Sequence, residues 1–316
     1  MKPYQKLALA ASISALLPLP STLHAQTMLY EYNFNAPKIN GWYAPSTGSV
    51  GTDAQLYQRF GTPAATRQNL HGAPGSGVSG RPDDLAFDNT ESTQMGGSSS
   101  VGEGGLALIT DSGALDSLTS FTVQGWYKVA PDVPVTHSGG RIFVNNYFSL
   151  MSNRRLNNTD IETRFTFTLN TSTLEGTQTI NTDYSTLLGE DDWVFFAITY
   201  DSTLSTNNLS FYAGTTDDAV VLFHQETLDG GATGTVSGPG SLLLGNNSAY
   251  SRPFDGWMDN FRIFGSTTDG AGALSVEQLE AYRYADAIPE PGAVGLTILG
   301  ALGALAARGR YRSRTA

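Results

Sequence analysis

One carboxylate in the sequence, that of Asp259, is predicted to point toward a hydrophobic core. Period-two alternation along its strand places Asp259 on the face shared by Phe261 and Ile263. An isolated buried charge is costly, so this carboxylate requires a partner. A calcium ion completed by backbone carbonyls is one such partner. Hydrogen bonds from the backbone or from Arg262 are the alternative.

Aromatic side chains supply the candidate sugar contacts. Ligand sites combine apolar rings with a few polar groups, so an exposed ring with polar neighbours is the feature to look for. Trp126 lies on the polar face of its predicted strand, beside Thr122 and Gln124. Further candidates occur in or near predicted loops: Tyr147, Tyr250 and Trp257. Packing is the alternative role for all of these rings, and spacing alone does not select among them.

The sequence shows no recognisable catalytic set. Glycoside hydrolases built on β-sandwiches place two glutamates on one strand as E-x-D-x-E, about 5 Å apart across the bond, and this pattern is missing. The acidic run at 190–192 precedes a strand and is typical of a solvated turn. The four histidines are scattered, and HExxH, GxSxG and P-loop motifs are absent. We predict a non-catalytic protein, with a glycan-active hydrolase or lyase of unfamiliar site as the alternative.

Charge and cysteine content exclude several classes of protein. Residues 26–288 contain 12 Lys and Arg against 28 Asp and Glu, a formal charge of −16. Such a charge argues against nucleic acid and anionic membranes as partners. It is compatible with neutral polysaccharide and divalent cations, and it is equally explained by solubility. The absence of cysteine excludes disulfides, lipoprotein attachment and thiolate chemistry.

The first 25 residues are typical of a secretory signal peptide. Lys2 and Lys6 precede an apolar stretch over residues 7–19. A candidate cleavage site at 23–25 gives a mature start near Gln26. We therefore predict that the body is exported.

Residues 287–316 form a predicted sorting tail. A Pro-Glu-Pro motif is followed by an apolar transmembrane segment at 292–307 and then by a run of arginines: Arg308, Arg310, Arg312 and Arg314. Arginines resist translocation, which would stop the tail in the inner membrane with its end in the cytoplasm. The three parts resemble the PEP-CTERM tail of bacterial proteins processed by exosortases. This resemblance implies an exosortase partner that acts at Pro289, Glu290 and Pro291, with an ordinary C-terminal anchor as the alternative.

Strand patterns dominate the body between these two ends. Residues 121–129 and 165–170 alternate apolar and polar side chains, as half-buried antiparallel strands do. Residues 193–200 are apolar on both faces and predict a central strand covered on both sides. One short helix is predicted, with Ser275 and Gln278 as its capping box and flanking leucines as its hydrophobic staple.

The order of these segments resembles the LamG-like jelly roll of the concanavalin A-like lectin/glucanase superfamily. The similarity is carried by residues 85–88, 121–126, 193–201 and 254–264, the last of them followed by the staple helix. It implies an all-β sandwich with one short C-terminal helix. It also implies a structural calcium at the position of Asp259.

Together these features predict a signal peptide at 1–25, a LamG-like β-sandwich at 26–286 and a PEP-CTERM sorting tail at 287–316. Within the sandwich, 26–84 is predicted to hold the first strand and a long loop. The predicted function is a non-catalytic surface or extracellular-matrix protein that binds or organises exopolysaccharide. A purely structural matrix component without a ligand is a further alternative. The expected partners are an exosortase, a glycan and, transiently, the inner membrane, but not nucleic acid.

Overall fold

The fold is known from a computed structural model that describes most of the predicted sandwich. The described residues are 26–61, 64–91, 103–110, 112–131, 137–145, 148–157, 160–169, 178–183, 192–228, 234–236 and 240–287. For 137–139, 152–165 and 178–183 the description is of the backbone. The predicted signal peptide and most of the sorting tail lie outside these residues. Within the part that is described, no helix has both the length and the apolar character needed to cross a membrane.

A first antiparallel sheet contains, among the described residues, six strands in one continuous path and a short one beside it. Its order is β1 (Met28–Tyr32), β16 (Gly256–Ser266), β7 (Ser120–Val129), β12 (Val194–Asp201), β13 (Leu209–Thr215) and β14 (Val221–Glu226), with β5 (Phe87–Asp88) paired to β16. The predicted central strand is confirmed, because β12 lies between β7 and β13 and is buried along nearly its whole length.

A second antiparallel sheet faces the first. Its order, again for the described residues, is β11 (Gln178–Asp183), β10 (Asp160–Leu169), β9 (Phe148–Asn157), β8 (His137–Val144), β15 (Leu242–Leu244), β6 (Glu103–Ile109), β3 (Ala54–Phe60) and β2 (Tyr43–Ala44), with β4 (Thr66–Arg67) paired to β3. Part of the segment predicted as a long loop is therefore a regular strand, because Ala54, Leu56 and Gln58 of β3 alternate toward the interior.

The main hydrophobic core lies between the two sheets. Alternate side chains of facing strands fill it, and aromatic rings bridge the layers. Phe143 of the second sheet lies 6.3 Å from Phe196 and 5.7 Å from Phe261 of the first, measured between ring centroids. Offset and edge contacts of this kind stabilise a core beyond the area that they bury. The predicted all-β architecture of two packed sheets is confirmed.

The helix α1 (Val276–Ala287) covers the outer face of the first sheet. Its capping box is confirmed: Ser275 N donates to Gln278 Oε1 at 2.8 Å, and Gln278 N donates to Ser275 Oγ at 3.4 Å. Leu274 and Leu279 are both buried in a second, smaller hydrophobic cluster beneath the helix. Arg283 fastens the helix to the sheet by donating to the carbonyl of Thr215 at 2.8 Å.

Because α1 covers the first sheet, β7 is buried on both of its faces. Its alternation predicts a strand with one solvated face, yet both faces are buried from Ser120 to Tyr127. Ser120 and Thr122 bind the covering segment through their hydroxyls, whereas Gln124 is buried without a hydrogen-bond partner among the described residues. Thr122 Oγ1 donates to the carbonyl of Gly272 at 2.7 Å and accepts from the amide of Leu274 at 2.9 Å. The half-buried prediction for β7 is therefore wrong, because α1 and the turn before it replace solvent.

Candidate functional site

Asp259 lies on the outer face of the first sheet, not on the core face. A register shift between Asp259 and Arg262 marks a β-bulge in β16. Asn260, at the bulge, has a φ of 46°, a left-handed conformation that Asn tolerates better than most residues. Phe261 and Ile263 remain in the core between the sheets. The prediction that Asp259 shares their face is wrong, because the bulge interrupts the period-two alternation.

Two carboxylates hold the turn at 77–80, that of Asp259 from β16 of the first sheet and that of Asp84 from the loop directly after the turn. Asp259 Oδ2 accepts the amide hydrogen of Val78 at 3.0 Å, and Asp84 Oδ2 accepts that of Ser79 at 2.8 Å. The second oxygen of Asp259 accepts from the amide of Asn260 at 2.7 Å. Asp259 is fully buried, and both of its oxygens bind main-chain donors. The backbone hydrogen bonds that were predicted as the alternative to calcium are therefore present at Asp259.

The surroundings of Asp259 carry excess negative charge. Burial, and then the nearby carboxylate of Asp84, raise the pKa of Asp259 well above its ordinary value of 3.8. A cation would relieve this repulsion, and carboxylate oxygens are ligands that calcium prefers. Among the described residues, no three His, Cys, Asp or Glu side chains are arranged to hold a metal. Asp259 and Asp84 fit calcium only if main-chain carbonyls and water complete the shell, so calcium stays a prediction.

Arg262 is the centre of a buried ion-pair network beside Asp259. Its Nε donates to Glu31 at 2.6 Å, and its Nη1 and Nη2 donate to Asp286 at 2.7 and 2.8 Å. Burial acts to lower the pKa of Arg262, but the two carboxylates outweigh this effect and raise it. The network ties β16 to β1 and to the last turn of α1, which makes it a structural fastener of the helix.

The ring of Trp126 is part of the same fastener. It is fully buried, and its indole Nε1 donates to Asp286 at 3.0 Å. The ring packs edge-on against Phe195, with centroids 5.3 Å apart. The prediction of an exposed sugar-binding ring at Trp126 is wrong, because α1 covers the polar face on which it lies.

The remaining aromatic candidates have three different outcomes. Tyr147 lies outside the described residues. Tyr250 is only 7% exposed, so the prediction of an exposed sugar-binding ring is wrong at this position as well. Burial, and then the nearby Tyr57, raise the pKa of Tyr250 to about 12. Trp257 is half-buried, and the ammonium of Lys128 lies 5.8 Å from its ring centroid. Trp257 therefore remains a candidate for stacking on a sugar.

A polar and aromatic surface on the outer face of the second sheet was not predicted. Tyr57 and Leu106 pair there, on the face opposite to the core pair Leu56 and Ala107. We name it the Tyr57 surface and define it by five partly or fully exposed side chains: Tyr43, Gln55, Tyr57, Arg59 and Arg67. The alternation Gln-Leu-Tyr-Gln-Arg at 55–59 was the available signal, but it lies in the segment interpreted as a loop.

Direct contacts organise the Tyr57 surface. Tyr57 Oη donates to Gln55 Oε1 at 2.8 Å, and Arg67 Nη2 donates to the same oxygen at 3.4 Å. The guanidinium of Arg67 also lies 5.1 Å from the ring centroid of Tyr43. Rings and hydrogen-bonding groups therefore alternate over a short distance on a rigid sheet. This combination can stack on sugar rings and bind their hydroxyls.

The predicted sorting residues, Pro289, Glu290, Pro291 and the four arginines of the tail, lie outside the described residues. The structure therefore gives no geometry for the exosortase motif or for the membrane stop. Both remain predictions from the sequence.

Sequence comparisons do not assign this chain to a family. No family model matches it, and no curated protein matches it in sequence.

Similarity to solved structures is broad but low. The receptor-binding domain of botulinum neurotoxin mosaic serotype C/D is 12% identical with a TM-score of 0.48, covering 82% of this chain and 51% of that one. An arabinofuranosidase complexed with arabinofuranosyl-α-1,2-xylobiose is 6% identical with a TM-score of 0.48, covering 78% and 50%. The CBM40 of the Ruminococcus gnavus IT-sialidase is 16% identical with a TM-score of 0.30, covering 52% and 83%. This chain spans about half the length of the botulinum structures it matches. Similarities at this level assign no function to it.

Proposed function

We propose that this protein is an exported, non-catalytic polysaccharide-binding protein of the cell surface or extracellular matrix, processed by an exosortase at its tail. The observation that carries the binding proposal is the Tyr57 surface. It places rings and hydrogen-bonding groups together on the outer face of a sheet, while α1 covers the outer face of the other sheet. The alternative binding site is Trp257, a half-buried ring on the first sheet.

The non-catalytic part of the proposal rests on how the buried acids are used. Glycoside hydrolysis needs two carboxyl groups facing one bond, about 5–10 Å apart. Three of the buried carboxylates, those of Asp84, Asp259 and Asp286, instead accept hydrogen bonds from the turn at 77–80, from Asn260 and from Arg262. A glycan-active hydrolase or lyase and a ligand-free matrix component are the competing functions.

Binding and cleavage are tested together on the full-length chain. The exopolysaccharide of the source organism is incubated with the protein, and both retention on the protein and new reducing ends are measured. We expect retention without new reducing ends. Tyr57→Ala should weaken retention about tenfold, which corresponds to about 1.4 kcal/mol. Tyr284→Ala removes a ring that is 58% exposed on α1 and should leave retention unchanged.

Each contrary result selects one of the competing functions. New reducing ends that disappear when a carboxylate is mutated would identify an enzyme. No retention of any host polysaccharide would favour the structural matrix component. Loss of retention in Trp257→Ala but not in Tyr57→Ala would move the site to the first sheet.

We also propose that the tail is removed near Pro289, Glu290 and Pro291. The motif, the apolar segment and the terminal arginines support this proposal. Mass spectrometry of the extracellular protein should find no peptide that begins after Pro291. Recovery of arginine-rich C-terminal peptides from that fraction would contradict the proposal.

We propose that Asp259 and Asp84 bind a structural calcium ion. The support is that two neighbouring carboxylates offer oxygen ligands and carry excess negative charge. A ligand that binds only the folded state stabilises it by about 2.7 kcal/mol at a hundredfold excess over its Kd. Chelator should therefore lower the melting temperature of the wild type and of Asp217→Asn, an exposed control in the turn between β13 and β14, but not that of folded Asp259→Asn. An unchanged wild type would leave Asp259 as a hydrogen-bonded carboxylate alone.

A further inference from the structure

The Tyr57 surface is positively charged in an acidic chain. Its two arginines, Arg59 and Arg67, form no ion pair with any described residue. The strands that present the surface, β2, β3 and β4, contain no acidic residue. Asp53, directly before β3, is paired with Lys38 at 2.9 Å. The whole chain has a formal net charge of −11, so this surface is a local exception.

The pairing of β3 with its neighbours places the two arginines close together on one face. Tyr57 lies opposite Arg67, and Arg59 follows Tyr57 by two residues. Arg59 and Arg67 are therefore diagonal neighbours, about 7–8 Å apart on a regular ladder. The acidic residue of the adjacent β6, Glu103, pairs with Phe60 and so belongs to the opposite face. Since Arg67 is exposed and Arg59 is partly exposed, a polymer on the outer face can reach both.

Two contacts orient the guanidinium of Arg67. It lies 5.1 Å from the ring centroid of Tyr43, and its Nη2 donates to Gln55 Oε1 at 3.4 Å. A guanidinium that stacks on a ring can still present a fork of N–H groups to a carboxylate or a sulfate. One long hydrogen bond leaves most of its five N–H donors available. Arg67 is therefore held in place while its charge stays open to a ligand.

The side-chain acceptors of this surface are already engaged, whereas many of its donors are not. Gln55 Oε1 accepts from both Tyr57 Oη, at 2.8 Å, and Arg67. Arg59 Nε donates to the carbonyl of Gly61 at 3.0 Å, which leaves the two terminal NH₂ groups of Arg59. The side-chain amide of Gln55 adds further N–H donors. A ligand with charged oxygens matches such a donor-rich surface better than a neutral sugar, whose hydroxyls each carry a donor hydrogen.

We propose that the Tyr57 surface binds an acidic polysaccharide, with Arg59 and Arg67 contacting oxyanions of the polymer and Tyr57 stacking on a sugar ring. The proposal rests on the proposed polysaccharide-binding function and names its ligand class. A uronate carboxylate and a sulfate ester share the required chemistry. The acidic body repels polyanions at long range, so binding depends on the local charge of these two arginines.

The test compares three polymers on the full-length chain: polygalacturonate for carboxylate, dextran sulfate for sulfate, and unmodified dextran as the neutral control. We expect the wild type to bind at least one polyanion more tightly than dextran. Arg67→Gln and Arg59→Gln should each weaken that binding about tenfold, the lower end of what a hydrogen bond to a charged group contributes. Arg81→Gln removes an arginine paired with Asp83 elsewhere on the surface and should bind as the wild type does.

Stability without ligand separates a binding role from a structural one. Arg67 is exposed, so Arg67→Gln should melt at the same temperature as the wild type. If it melts lower, Arg67→Lys decides, because lysine keeps the charge and loses only the planar fork. Polyanion binding by the lysine variant that exceeds binding by the glutamine variant supports the proposal, and an equal loss in both overturns it.

The remaining outcomes distinguish the two proposals. Equal binding of dextran and the polyanions overturns the acidic-ligand inference, and so does polyanion binding that neither Arg67→Gln nor Arg59→Gln weakens. An equal loss in Arg81→Gln also overturns it, because the attraction would then be general. A wild type that binds no polyanion yet retains the exopolysaccharide of the source organism overturns this inference alone, and the proposed function stands. A wild type that binds none of these polymers overturns both.

Discussion

The outer faces of the two sheets are built in opposite ways. On the first sheet, polar and charged residues such as Thr122, Arg262 and Trp126 are buried and bound by α1 and the turns around it. On the second sheet, Tyr57 and Arg59 keep exposure. Buried side-chain atoms without a hydrogen-bond partner among the described residues occur on both sheets, at Gln124 of the first and Arg141 of the second. The difference between the outer faces therefore lies in their cover: α1 buries one, and the Tyr57 surface remains open on the other.

This difference shows that residue type alone does not indicate a site. An arginine between two buried carboxylates, such as Arg262, fastens the fold, whereas an arginine on an open face, such as Arg67, contacts the exposed side chains around it. Breaking the first arrangement should therefore reduce stability, and breaking the second should reduce binding.

The largest effect is expected from Arg262→Met. This change leaves Glu31 and Asp286 buried without their cation, which costs about 3–5 kcal/mol. Denaturant unfolding of the full-length chain measures this loss. Arg81→Met is the matched control, because its ion pair with Asp83 is exposed and contributes about 0–1 kcal/mol. Similar small losses in both variants would show that the network does not fasten α1.

A smaller loss is expected from Ser275→Ala at the start of α1. Ser275 Oγ accepts the amide of Gln278, and removal of such a cap costs about 1 kcal/mol. Ser248→Ala, at an exposed position in the turn after β15, serves as the control. A capping variant as stable as this control would mean that tertiary contacts alone position the helix.

Acidification should weaken the ion-pair network of Arg262 that attaches α1 to the first sheet. Burial acts to raise the pKa of Glu31, but the charge of Arg262 and hydrogen bonds from Thr47 and Arg262 outweigh it and lower the pKa below its ordinary value of 4.5. The contribution of Glu31 is therefore present above pH 4.5 and is lost as the pH falls through the lowered value. Unfolding measured between pH 6 and 3 should show a shallower loss in Glu31→Gln than in the wild type. Parallel curves would contradict this assignment.

The smallest stability effect is expected from Tyr57→Ala. Tyr57 is partly exposed and its hydroxyl binds Gln55 at the surface, so the change should stay within about 1 kcal/mol. A thermal melt of the unliganded variant checks this value. A loss comparable to that of Arg262→Met would show that the Tyr57 surface is a structural element and would weaken its assignment to binding.

Local features were predictable from the sequence, and distant pairings were not. The capping box at Ser275 and the central strand β12 follow from short patterns of residue type. The outward position of Asp259 depends on a bulge at Asn260, which period-two alternation does not contain. The amide of Arg141 meets the carbonyl of Arg252 only through pairing of segments far apart in the sequence, so this contact has no local signal.

The central claim is that the outer face of the second sheet binds the polysaccharide. Hydroxyl-radical footprinting of the full-length chain, with and without the exopolysaccharide of the source organism, tests it most directly. Oxidation of Tyr57 and Tyr43 should fall severalfold when the polymer is bound, while that of Trp257 and Tyr284 on the first-sheet side stays unchanged. Protection of Trp257 or Tyr284 with Tyr57 and Tyr43 unaffected would contradict the claim.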